Sequence, residues 1–426
     1  MTVLALVLAA QAMVAPLPPA MTERIETVVV HGNHTTPTAD VLAIVGDVAG
    51  QPADDTLITA VSERLRQSGR FAGVDVRKRF LSIDDPSRVL LVIVVDEHAG
   101  VSEDDLTPGP MRRLTASGMW LPVVEFREGY GFTYGARVSF VDRLGPRSRI
   151  SVPLTWGGDR QAQVELERTF TGRVLARVAG GGGITRRRNP HFELGDSRRT
   201  LWARVESAPL SWLRAGAGTR VADVSFGAID DRITTVGADV TLDTRVDPAL
   251  PRNAVFAFLG IERVGFGADA LGTGAAPGAP LAARRVTVDA RGYVGLVRQA
   301  VVALRVQSVA ASRTLPAFEQ ALVGGGPSLR GYRVGQFAGD NMVAFSTELI
   351  VPLTSPLDIG RFGVKLFADR AVAYAAGETL ADQPLYWGYG VGAFVNATVF
   401  TLGVDVGWRE GRGRPNAHAT FGVRLR

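Results

Sequence analysis

The stretch FTYGARVSF, residues 132–140, alternates without interruption. In an extended chain Phe132, Tyr134, Ala136, Val138 and Phe140 share one face, and Thr133, Gly135, Arg137 and Ser139 share the other. The same two-residue period returns downstream. RRVTVDARGYV sets Val286, Val288 and Ala290 against Arg285, Thr287, Asp289 and Arg291, and VALRVQSV sets Val302, Leu304 and Val306 against Arg305 and Gln307. In QVELE the polar face is Gln163, Glu165 and Glu167. One face is oily throughout, and the other carries charges of both signs.

Two architectures can use such strands. A soluble sandwich brings the apolar faces together, whereas a membrane barrel turns them to lipid and lines a wet lumen with the polar ones. Length decides. Met119 to Arg426 is 308 residues without helical periodicity, too long for one ordinary sandwich, and contains roughly 16 such segments. An even count suits a closed bacterial barrel, and only closure satisfies every strand's backbone in hydrocarbon. The expectation is a transmembrane β-barrel of about 16 antiparallel strands. Trp120, Trp156, Trp202, Trp212, Trp387 and Trp408 are expected near strand ends, in the interface girdles.

Composition agrees. Mean hydropathy is slightly positive (+0.12), yet no run past the first twenty residues is long and apolar enough for a spanning helix. There are no cysteines, which excludes disulfides, thiol catalysis and Cys-based zinc sites. The net charge of +5 is spread among acids without a basic, aromatic-interleaved stripe, so no nucleic-acid partner is expected. MTVLALVLAAQAMVAPLPPA, residues 1–20, is expected to be a secretory signal peptide cleaved near Ala20, although it lacks a basic start. Its 13 apolar residues are too few to span a bilayer.

Residues 23–98 have a different texture. IETVVVHGN reads as a strand with a turn, and TPTADVLAIV as a helix opened by Pro37. ADDTLITAVSERLRQSG is a second helix with Leu57, Ile58, Val61 and Leu65 on one face and Gly69 past its end. FAGVDVRKRF and RVLLVIVVDEH follow as strands. The order β-α-α-β-β predicts a helix pair on a three-stranded sheet. HGN after the first strand, LRQSGRFAGVDV at the helix-to-strand junction and the ending VVDEH resemble a POTRA domain, the periplasmic module of outer-membrane polypeptide transporters. That resemblance implies capture of extended polypeptide at a sheet edge. Residues 99–118, polar and rich in Pro and Gly, read as a linker.

Between strands, LPAFEQALVGGGPSLRGYRVGQFAGDN (315–341) is the longest piece that does not alternate. Irregular backbone is not tolerated against lipid, so this is a loop outside the wall or folded into the lumen. Within it GGGPSLRGY resembles the [V/L]-R-G-[F/Y] loop of the BamA-like outer-membrane assembly and two-partner-secretion superfamily. The resemblance implies a plug over 315–340 inside a 16-stranded barrel, with Gly325, Gly326, Ser328, Leu329, Arg330, Gly331 and Tyr332 as its motif. It also implies that Arg330 pairs with acids on the inner wall. FGVKLFADRA carries the family's F-x-D pattern with Phe367 and Asp369 facing inward; Asp369 is the first expected partner and Glu348 the second. LDTRVDPALPRNAVF resembles the family's DTRxxPxxPxxG turn through Asp243, Thr244, Arg245, Pro248 and Pro251, with Asn253 where glycine is usual. A further departure is the C-terminus, which ends in Arg426 rather than an aromatic residue.

Catalytic readings find little material. His31 and His34 lack further ligands for a metal, and GGGG (180–183) and GYGVG (388–392) lack the lysine and following helix of a phosphate loop. Close approach of the wall to a loop is expected to explain both glycine runs. No cofactor, metal or enzymatic activity is expected. The function implied is an outer-membrane polypeptide insertase or translocase. The POTRA domain would bind unfolded polypeptide from the periplasm, the barrel would sit in outer-membrane lipid, and accessory lipoproteins are partners the resemblance allows. The alternatives are a passive channel, which needs no plug, and a surface antigen or adhesin.

Overall fold

The computed structural model describes residues 23–81, 85, 87–98, 118–271, 280–353, 360–397, 400–411 and 413–423. The expected signal peptide, most of the expected linker, and the last three residues lie outside these. The chain divides into two compact units, one up to Ala116 and one from Ser117 onward.

In the first unit β1 (Arg24–His31) is followed by α1 (Thr38–Val45), α2 (Asp55–Gln67), β2 (Phe71–Phe80) and β3 (Arg88–Glu97). The Asp54 carboxylate caps α2 by accepting from the Leu57 amide at 2.7 Å, which satisfies one of the helix's orphan donors. Val61 and Leu65 of α2 and Val41 and Val45 of α1 are buried against Ile25, Leu91 and Ile93. Strand β3 lies in the middle of the sheet, parallel to β1 and antiparallel to β2. That position explains its nearly unbroken run of apolar residues. Strand β2 is an edge, paired on one side only among the described residues.

Glu97, at the end of β3, ties down the β1–α1 turn by accepting from the Thr36 amide and from the Thr35 amide at 2.9 Å. Partial burial pushes its carboxyl up, but the donors on Thr36 and Thr35 outweigh it and hold the group below the usual glutamate range. Such a group stabilises the fold fully above the unfolded-state value of about 4.3 and loses that contribution as pH falls through the lower folded value. Thermal unfolding between about pH 5 and pH 3 should therefore show a steeper acid loss for the wild type than for Glu97→Gln. Equal slopes would show that the clamp contributes nothing.

The second unit begins with β4 (Gly118–Arg127), β5 (Gly131–Val141), β6 (Ser148–Gly157), β7 (Asp159–Thr169), β8 (Arg177–Arg188) and β9 (Gly195–Leu210). It continues through β10 (Leu213–Phe226), β11 (Ile229–Asp243), β12 (Ala254–Gly267), β13 (Pro280–Gly295) and β14 (Val301–Ala311). A short hairpin, β15 (Ala321–Val323) and β16 (Phe337–Gly339), interrupts the wall. The wall resumes with β17 (Asn341–Pro352), β18 (Gly360–Tyr374), β19 (Tyr386–Ala397), β20 (Phe400–Arg409) and β21 (Asn416–Val423).

The sixteen wall strands are antiparallel, each paired with its neighbours in chain order, and β21 closes on β4. No described helix is long and apolar enough to cross a membrane. Side-chain parity follows the alternation. Phe132, Tyr134, Val164, Leu166 and Leu304 are exposed on the outer surface, while Thr133 and Ser139 are buried inside. Charged inward residues pair across the wall, as in Arg137–Glu165 at 2.8 Å, Arg204–Asp239 at 2.7 Å and Arg305–Asp289 at 2.8 Å. Oily outside and ionic within, the strands are ordered by two solvents at once.

Two readings of small motifs need correction. Trp202 lies in mid-strand on β9 with its ring inside the barrel, where it lines a cavity with Arg204, Phe258 and Glu262, so it belongs to no girdle. Its neighbour Leu201 takes the outward place, 69% exposed. The GGGG run on β8 does not face the loop. A side chain at Gly181 would meet the Val164 carbonyl at 2.6 Å and the Trp202 ring at 3.2 Å, so neighbouring strands and that ring set its size.

Candidate functional site

The connection from β14 to β17 re-enters the barrel. It starts with a single 3-10 turn at Ala317–Glu319, forms the β15–β16 hairpin, and places residues 324–336 at the hairpin's tip. The Gly325 amide donates to the Tyr332 carbonyl at 3.0 Å, the Leu329 amide to the Gly325 carbonyl at 3.1 Å, and the Gly324 amide to Ser328 Oγ at 3.0 Å. Leu329, Arg330 and Tyr332 are buried, and Gly326 contacts Glu128 through its amide at 3.3 Å.

Arg330 is 3% exposed and forks onto Asp369: Nε donates to Oδ2 at 2.8 Å and Nη2 to Oδ1 at 2.7 Å, while its own backbone amide donates to Oδ2 at 3.0 Å. Nη2 also donates to Ser346 Oγ at 2.9 Å, Nη1 donates to Glu348, and Asp405 lies at 3.5 Å. The Phe367 ring sits 3.6 Å beneath the guanidinium. Lys365 answers Asp405 from the other side at 2.9 Å. Around Arg330, then, β17, β18 and β20 supply three carboxylates, and among the described residues Lys365 is the cation that shares one of them. Such a bidentate, charge-assisted geometry fixes the loop's position more than it adds net stability.

The tip approaches the wall so closely that glycines are needed there. A side chain on Gly388 would meet the Arg330 carbonyl oxygen at 1.8 Å, and one on Gly331 (φ 92°) the backbone of Trp408 at 2.7 Å. The GYGVG run is thus a recess in the wall for the loop backbone. The Gly331 amide donates to His418 Nε2 at 2.8 Å, and the other nitrogen of that buried ring bonds Glu128 at 2.7 Å. His418 is on β21 and Glu128 just beyond β4, so this chain of bonds links the plug tip to both sides of the closing seam.

Sequence reasoning overlooked a second anchor. Glu319, its side chain 4% exposed, receives Arg198 Nη1 at 2.7 Å and Arg285 Nη1 at 2.9 Å from β9 and β13. Phe318 packs with Phe226, Leu315 and Phe192 in one apolar cluster. The plug is therefore fastened to one side of the wall by a cation among acids, and to another by an acid among cations. Only the local rarity of acids between Leu315 and Gly339 could have flagged Glu319.

The turn residues form a separate group at the β11–β12 connection. Asp243 accepts from Arg245 at 2.8 and 2.9 Å, Arg245 lies 4.4 Å over the Phe256 ring, Pro251 is buried, and Thr244 Oγ1 accepts from the Val255 amide at 2.8 Å. Asn253 has φ 48° and accepts from the Gly295 amide at 2.9 Å. Asparagine tolerates the left-handed region better than most residues, which accounts for its standing where glycine is usual. Among the described residues no hydrogen bond or ion pair joins this group to the plug.

A closed barrel with an apolar exterior, a charged interior and a re-entrant loop defines an outer-membrane β-barrel protein. A family model described as the Omp85 superfamily domain matches residues 132–423, and the chain belongs to that superfamily, whose members serve protein insertion or transport at the outer membrane. A second model, the POTRA model described as a surface antigen variable number repeat, matches residues 23–98. Among solved structures the chain is similar to BamA from Haemophilus ducreyi lacking POTRA domains 1-3, at 12% identity and TM-score 0.60, over 94% of this chain and 84% of that one. It is also similar to CdiB from Escherichia coli, at 11% identity and TM-score 0.53, over 96% and 93% of the two chains. No curated protein sequence matches it.

Proposed function

We propose that the protein is a bacterial outer-membrane polypeptide insertase, with its POTRA domain in the periplasm capturing unfolded polypeptide and its barrel passing strands into the membrane through the β21–β4 seam. The observation that carries this reading is the seam itself. Among the described residues β21 and β4 share three residue pairs, Thr420–Arg127, Phe421–Phe126 and Gly422–Glu125. Every other neighbouring pair of wall strands shares at least six. Residues Asn416–Ala419 of β21 run past the end of β4, and β4 contains Pro122, which has no amide to donate. Unpaired backbone is what an incoming strand needs, because ladder hydrogen bonds supply its binding energy.

Two features support insertion over passage through the lumen. The plug is fastened at both Arg330 and Glu319, and the free edge of β2 gives the POTRA sheet a place to add an extended segment. In proteoliposomes containing the full chain, a urea-unfolded outer-membrane barrel added from outside should become folded and protease-resistant severalfold faster than in empty vesicles. No acceleration, with steady unitary conductance instead, would support a passive channel and overturn the proposal.

A further inference from the structure

Along β7–β13 most outward positions are apolar, including Val164, Ile184, Leu201, Val236 and Ile261, all exposed. At the rim that bears the plug connection the same outward parity continues into charged residues, mostly arginines, with Asp223 and Asp230 as the carboxylates among them. Arg160 and Arg186 are direct cross-strand partners on β7 and β8, and Arg263 and Arg284 are direct partners on β12 and β13. All four are exposed, and none has an ion pair with a described carboxylate. Between them Arg199 faces Asp223, which Arg232 already engages at 2.8 Å, and Arg188 reaches Glu193 at 3.4 Å.

At the opposite rim the same strands end outward in Val178, Val205, Val240, Val255 and Val294, with Arg168 folded over the Phe170 ring as the exception. The sector flanking the seam is aromatic instead, presenting Trp156, Tyr134, Tyr389 and Trp408 outward, with its outward Arg370 laid over the Trp387 ring at 4.4 Å.

Like charges placed directly opposite on a sheet destabilise it, and doing so twice on a lipid-facing wall needs a compensating anion. Arginine on the outer face of a barrel costs little only near the headgroups, so these side chains mark that level. Guanidinium forks match phosphate oxygens two at a time. The charge difference between rims fits a bilayer whose outer leaflet is dense in phosphate. We propose that the arginines of β7–β13 form a lipid-binding surface for the phosphorylated headgroups of outer-leaflet glycolipid. This holds the wall away from the seam, while the aromatic sector leaves the seam's side less firmly held. The inference rests on the proposed orientation, in which the plug-bearing rim faces the cell surface.

The test uses the full-length protein folded in neutral detergent and titrated with diphosphorylated lipid A, with its dephosphorylated form, or with inorganic phosphate. Retained lipid is read by mass spectrometry and the thermal midpoint by heat-dependent gel migration. Lipid A should bind and raise the midpoint, and the other two should not. The double variants R160Q/R186Q and R263Q/R284Q should each bind lipid A at least about tenfold more weakly, the worth of one charged hydrogen bond. Without lipid both should fold and melt no lower than wild type, because a repulsion has been removed, and R168Q at the other rim should change neither reading. Undiminished binding by both doubles, or equal binding of dephosphorylated lipid, overturns the proposal; equal binding of inorganic phosphate overturns its lipid assignment. Orientation is read separately by whole-cell labelling of Ala228→Cys in the β10–β11 turn, which should label without permeabilisation. Failure of the insertion assay leaves this binding result standing.

Discussion

Arg330→Ala should give the largest single-residue effect in the barrel: a plug that no longer seats and a marked loss of folded protein. Asp369 is 1% exposed and takes three donors from Arg330, so truncation strands its charge beside Glu348 and Asp405 with Lys365 as the remaining cation. Breaking a buried pair from one side costs about 3–5 kcal/mol, because the orphaned charge keeps its desolvation penalty. Asp369→Ala should be comparably harmful, since the guanidinium then loses its fork although Glu348 and Asp405 still neutralise it. Arg330→Lys should not rescue, because a point charge cannot reproduce the bidentate contact or the stacking on Phe367. The measurements are heat-modifiable migration for the folded fraction and bilayer conductance for the plug. Molecules that do fold should conduct more than wild type, approaching a variant lacking residues 315–340. Wild-type folding and conductance in both Ala variants would mean that the arginine cluster does not hold the plug.

Much of this architecture was written in alternation. A period of two states which residues face which solvent, and the long run of such segments leaves closure as the way to satisfy their edges. Parity also places Asp369, Phe367 and Glu348 on the inner face, because each sits on a strand whose opposite face is plainly apolar. What parity cannot supply is depth along the lumen or position around it. Asp405 and His418 alternate as inward residues too, yet they lie 75 and 87 positions from their contacts in the loop, and only the assembled barrel brings them to one level. Glu319 was hidden for another reason: its partners Arg198 and Arg285 sit on strands that look like any other charged inner wall. Trp202 misled because tryptophan in a membrane protein suggests an interface, whereas here the glycines of β8 make room for its ring inside.

Closing the seam covalently should abolish function while leaving the fold intact, and the absence of cysteine makes that experiment clean. Phe126 and Phe421 are direct partners across β4 and β21, so cysteines at both positions lie at the spacing of a cross-strand pair, within the range a disulfide spans. Under oxidising conditions the double variant should lose nearly all acceleration of substrate folding in proteoliposomes, and reductant should restore it. A matched cross-link between Ala217 and Ala238, partners on β10 and β11, should do nothing, because that interface shares fourteen pairs and is not asked to open. The physical asymmetry is large. With three described pairs and the His418–Glu128 bond to part, opening the seam exchanges few ladder hydrogen bonds, each worth about 1 kcal/mol net, and an incoming strand can replace them. Parting fourteen pairs would cost several times more with nothing to compensate. An oxidised Phe126–Phe421 variant that still assembles substrate at the wild-type rate would rule out lateral passage and leave the lumen as the remaining route, with Arg330 and Glu319 then acting as the contacts that must release.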